Sequence, residues 1–226
     1  MAYKKGIDCV YCQSKPGTTR DHVPPKSIFA KPLPSDLITV NCCQDCNQSF
    51  GRDDEYLRAY IAVRADCHKK NERQVRETAL RAFNKHPKFK SQFFKDVRFV
   101  RKVPDDSSSE IVPQIKHDEE RLERIMQRIV RGIISDHSQI LLPLDSHWCV
   151  LLDHGYEVEM RTKTDEKLQE LLEGEEEREI GKLFSYKFGH VKEWPDASIW
   201  QLRFFTDLWS LVYVNLQDVL EAHGAS

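Results

Sequence analysis

The chain has 226 residues, 40% hydrophobic and 10% aromatic, which excludes a disordered chain and fits one large or two small folded units. The net charge of −2 conceals a split: residues 1–102 hold 21 Lys+Arg against 11 Asp+Glu, leaving 13 against 25 for residues 103–226, or +10 against −12. That asymmetry points to an anion-binding half joined to a half with another task.

From the N-terminus, MAYKKGID is polar and lacks the apolar stretch of an export signal, and the longest apolar runs, ILLPL and WSLVYV, fall far short of a membrane span. A soluble, cytoplasmic protein with no membrane partner is expected. Seven cysteines stand at 9, 12, 42, 43, 46, 67 and 149. An odd count with C-x-x-C pairs suits reduced thiols and a metal site better than a disulfide framework. Cys9, Cys12, Cys43 and Cys46 form C-x2-C-x30-C-x2-C, two knuckles able to supply the four ligands of a structural Zn2+. Cys42 could stand in for Cys43, but the two-residue spacing favours Cys43. Cys42, Cys67 and Cys149 are expected to be small buried residues.

Between the knuckles, TTRDHV reads as a strand ending at Pro24-Pro25, and DLITV (36–40) as a second. From Gln44 the spacing turns helical, with a break and restart at Gly51 and Asp53-Asp54-Glu55. Residues 72–86 form a basic helix, and 87–102 interleave lysines with Phe89, Phe93, Phe94 and Phe99, assigned to the core. The polar segment PDDSSSE (104–110) marks a boundary. Beyond it, Leu122, Ile125, Met126, Ile129, Val130, Ile133 and Ile134 repeat at helical spacing and predict an amphipathic helix. EKLQELLEGEEERE predicts a shorter acidic helix, and LFSYKF, SIWQLRFF and LWSLVYVNL predict strands. The expected division is 1–70, 71–103 as a basic helical extension, and 104–226 as an α+β domain of unassigned role.

Asp21 and His22 stand side by side inside the loop the zinc would close, and Asn47 follows the last knuckle cysteine. A carboxylate and an amide oxygen suit Mg2+ or Mn2+, and a neutral imidazole can take a proton from water. The run CVYC…RDHVPPKS…DLITVNCCQDCN resembles the HNH endonucleases, of ββα-metal fold, in the subgroup whose hairpin is closed by a four-cysteine zinc. The resemblance covers about residues 7–66. It implies His22 as general base, with Asp21 and Asn47 as ligands of a catalytic Mg2+ or Mn2+. It also implies a loop-bracing residue in the second strand, where Asp36 replaces the usual Asn and Asn41 is the alternate.

The expectation is therefore an α+β protein: a zinc-braced ββα-metal module, a helical segment and a C-terminal α+β domain. Its expected activity is metal-dependent endonucleolytic hydrolysis of phosphodiester bonds, with DNA as substrate and one strand nicked per site. Arg20, Lys26, Lys31 and Arg52 flank the site as backbone-contact candidates. A homodimer or a regulatory partner could engage the acidic C-terminal half. The alternative is a catalytically inactive, zinc-scaffolded nucleic-acid-binding or adaptor protein.

Overall fold

The fold is taken from a computed structural model that describes residues 8–64, 70–95, 97–102, 110–115, 117–152, 170–191, 194–205 and 208–216. Strand β1 (Thr19–Val23) and strand β2 (Ile38–Cys42) form an antiparallel hairpin in which Asp21 faces Val40 and His22 faces Thr39. β-Branched residues suit the pleat of β2, which begins two residues into the predicted DLITV. Helix α1 (Gln44–Ser49) follows at once, and α2 (Gly51–Arg64) restarts after the single non-helical residue Phe50, where the break was expected.

Helices α3 (Lys70–Lys85) and α4 (Pro87–Phe94) complete the basic half. Pro87 sits in the first turn of α4, where its missing N–H costs no helical hydrogen bond. Residues 97–102 are not helical, contrary to expectation. They form β3 (Val97–Lys102), which pairs antiparallel with β4 (Glu110–Ile115), so a hairpin spans the predicted boundary. The alternation of VRFVRK is a strand period that the aromatic-basic composition masks.

Helix α5 (Glu119–Ser138) is the centrepiece. Asp118 caps its start by accepting from the Arg121 N–H at 3.1 Å, and Gln139 ends it in the left-handed region at φ 57°. Leu122, Ile125, Met126, Ile129, Val130 and Ile133 are all 2% exposed or less, each burial stabilising by roughly 1.5–3 kcal/mol. One side of α5 packs on β1, β2 and α2. It also contacts two strands of the C-terminal sheet, β5 (Trp148–Leu152) and β9 (Leu208–Val214).

The sheet is antiparallel with order β5-β9-β8-β7-β6, where β6 is Arg178–Ile180, β7 Phe184–Val191 and β8 Trp194–Phe204. Trp200, Leu202 and Phe204 alternate toward the core shared with α5 and the hairpin, as their spacing predicts. Ala197 and Ile199 join a second cluster with Leu172, Leu211 and Tyr213. The predicted acidic helix, EKLQELLEGEEERE (166–179), is not borne out: 166–169 lie outside the described residues, and after Glu170 the chain is not helical, 171–174 being turn and 178–180 β6. Among the described residues, no helix is long and apolar enough to cross a membrane.

Two close approaches fix the halves against each other. At Gly132 of α5 a Cβ would lie 2.6 Å from the Val23 Cγ2, so only glycine lets the helix settle on the end of β1. Gly181, at φ +59°, turns β6 into β7 against Pro34, and its N–H reaches the Asp36 Oδ2 at 3.4 Å.

Candidate metal centre and active site

The knuckle residues converge. Cys9 and Cys12 flank a tight turn closed by Gln13 N–H to the Cys9 carbonyl at 2.9 Å, and Cys43 caps α1, its sulfur accepting from Cys46 N–H at 3.4 Å. The sulfurs of Cys9, Cys12, Cys43 and Cys46 all lie within 4.8 Å of one another, and Cys12 and Cys43 stand 3.8 Å apart. A zinc with bonds of about 2.3 Å has a tetrahedral sulfur–sulfur edge of about 3.8 Å, so this donor set fits the ion. Hydrogen bonding from Ser14 brings the Cys12 thiol down to about 6, while burial pushes Cys46 up.

Cys42 lies outside the four but is fully buried beside them, and burial raises its thiol far above the usual range. That matches its expected role as packing. Cys149 does not match: its side chain is exposed. Cys67 lies outside the described residues.

The strand alternation of β1 divides the remaining candidates. Thr19, Asp21 and Val23 share the inner face, whereas Arg20 and His22 share the outer one. Asp21 is 5% exposed and fully engaged. Its Oδ2 accepts from the Tyr11 hydroxyl at 2.6 Å and lies 3.9 Å from the Arg128 Nε; its Oδ1 accepts from the His22 N–H at 2.9 Å. Arg128, on α5, also pairs with Asp54 and lies 4.3 Å above the Phe50 ring. Burial works against the Arg128 charge, but Asp54 and Asp21 outweigh it and raise its pKa. Burial, then the Asp21 charge, push the Tyr11 phenol well up, so it stays a donor.

Asn47 does not cap its helix, because Cys43 occupies that position. Its amide instead donates to the Thr19 hydroxyl at 2.9 Å and the Arg20 carbonyl at 3.3 Å, which docks α1 on the inner face. Asp21 and Asn47 therefore share one side of β1. As arranged, however, they do not fit a divalent ion: the Arg128 guanidinium is already the cation beside Asp21, and a second cation there would be repelled.

On the outer face, Arg20 donates to the Asn41 Oδ1 at 2.7 Å and to the Thr39 carbonyl at 2.6 Å. Asn41 thus holds Arg20, and Asp36 is exposed and turned toward Gly181; neither hydrogen-bonds to His22. His22 is half-buried, and its pKa is lowered by burial first, then by Lys26 and Arg20, against the opposing Asp21 charge. Lys31 and Arg52 are exposed.

Arg128 was not among the residues singled out in the sequence. Its place beside the apolar stripe of α5 was visible, but its partners lie 107 and 74 positions away in the chain, beyond the reach of local pattern. Compared with protein-family models, curated proteins and solved structures, the chain matches none.

Proposed function

We propose that this protein hydrolyses phosphodiester bonds in nucleic acid, with DNA as the expected substrate and a zinc-braced HNH-type hairpin as its catalytic module. The carrying observation is His22: a half-buried imidazole whose pKa burial and the Lys26 charge hold below its ordinary value, on a hairpin anchored at a four-cysteine cluster. Such a ring is neutral at neutral pH and able to act as a base. In the proposed step a ring nitrogen of His22 takes a proton from water as the water oxygen bonds to phosphorus. The bond to the leaving oxygen breaks, and that oxygen is protonated by solvent. Arg20 and Lys26 supply positive charge beside the imidazole, where a phosphate would lie.

The resemblance implies a divalent ion on Asp21 and Asn47, and such an ion needs Arg128 to leave Asp21 first. No step above depends on it. The Arg128–Asp21 pair favours a second reading, in which the module binds nucleic acid without cutting it. Plasmid nicking with Mg2+, with Mn2+ and without added divalent ion, comparing wild type with His22→Gln, separates the two. Hydrolysis predicts nicking by wild type that persists somewhat below pH 6.5, because protonation of His22 is displaced downward, and its loss in a variant that keeps its metal content and fold. Equal nucleic-acid binding by both proteins with no nicking by either would establish the binding module instead.

A further inference from the structure

Arg121 and Arg128 are seven residues apart on α5, two turns or about 10 Å at about 1.5 Å per residue. Arg128 reaches Asp21; Arg121 lines a cavity of about 950 Å³ where the start of α2 meets the corner between α3 and α4. Arg52 and Glu55 from α2, Lys85 from the end of α3, and Lys88 and Phe89 from the start of α4 also line its wall, with His86 at the corner.

The charges do not cancel. Glu55 lies 3.8 Å from Arg58, and Arg121 is held by Asp53 at 3.2 Å and Asp118 at 3.5 Å. Arg52, Lys85 and Lys88 have no carboxylate partner among the described residues. Helix α4 adds to the same field: its N-cap residue His86 makes no side-chain cap bond, and its first turn holds no acid. Isolated surface lysines are normally just solvated, but here three unpaired cations from three helices face one concavity. The wall also has an apolar element. Phe89 is half-buried, braced by Phe83 at 5.7 Å between ring centres.

Unpaired cations beside an aromatic side chain suit a flexible strand, whose phosphates take the charges while a base meets the ring. We propose that this groove binds a single-stranded segment of nucleic acid, with Arg52, Lys85 and Lys88 on phosphates and Phe89 against a base. Its role as a guide for the strand cut at His22 rests on the hydrolase reading above; the binding itself does not.

The test is fluorescence anisotropy with a labelled single strand of mixed sequence, repeated with a duplex and with a nucleoside monophosphate as competitor, in buffer without added divalent ion. Nicking is measured on the same proteins. Lys85→Gln/Lys88→Gln should bind more weakly and lower the slope of log affinity against log salt by about 1.4, two contacts at about 0.7 each. Phe89→Leu should weaken binding with the slope unchanged. Lys95→Gln, exposed at the far end of α4, should alter neither. Unchanged affinity and slope in the double variant would overturn the groove while leaving the hydrolase reading intact wherever nicking persists. Lysine-dependent binding without nicking under any condition would keep the groove and sink the hydrolase. A lysine-dependent preference for duplex, or full displacement by the monophosphate, would overturn the single-strand assignment.

Discussion

Replacing Arg128 with Met tests the coupling between the halves most directly. The side chain of Arg128 is 5% exposed, Asp21 7% and Asp54 25%, so the substitution leaves two carboxylates with little access to water and no cation. An exposed pair would cost at most about 1 kcal/mol on removal, whereas breaking a buried one costs about 3–5 kcal/mol. For a chain of this length that is a fall in Tm of about 10 °C. Urea unfolding at pH 7 would measure it, and Asp54→Asn in the Arg128→Met background should recover part of the loss. The pH dependence follows from the carboxylates. Burial already raises Asp54 above its usual 3.8 with Arg128 present, and removing the guanidinium raises it further. A carboxyl raised in the folded state binds its proton more tightly there than in the unfolded chain. The destabilisation should therefore be greatest at neutral pH and shrink as pH falls toward 4. A cost below about 1 kcal/mol at pH 7, or one constant from pH 7 to pH 4, would refute this account of the network.

Further substitutions probe the frame around it. Cys9→Ala or Cys46→Ala should abolish the expected stoichiometric zinc in elemental analysis, while Cys42→Ala, outside the four-sulfur cluster, should keep it. Gly132→Ala drives a methyl into Val23, where 2.6 Å is available, and should cost about 1–3 kcal/mol by urea titration; a gain in stability would show that β1 can yield there.

The knuckles, the hairpin, the helix break before Gly51 and the apolar stripe of α5 were legible because each is written in local spacing. What escaped was non-local or ambiguous. The hairpin of β3 and β4 straddles a segment whose composition reads as a boundary, and Pro113 within β4 argues against a strand. The surroundings of Asp21 escaped for another reason. Its neighbour His22, the prolines that follow and the cysteines all point to a metal-ligating carboxylate, while the groups that bury it, Tyr11 and Arg128, come from a knuckle and a distant helix. Asp36 stands at the bracing place of the motif, yet its carboxylate accepts from the Gly181 N–H, across the fold.

The seating of β1 on Gly132 also has a consequence in time. During synthesis the hairpin and α1 are complete roughly 90 residues before α5 is, an interval of about 5–20 s at about 5–20 residues per second. Throughout that interval α1 lies on the inner face of β1 without α5 beside it, and Asp21 lacks Arg128. A metal captured by the four cysteines would hold the β1–β2 register while the rest of the chain emerges, so its largest effect would fall on the yield of correctly folded chains.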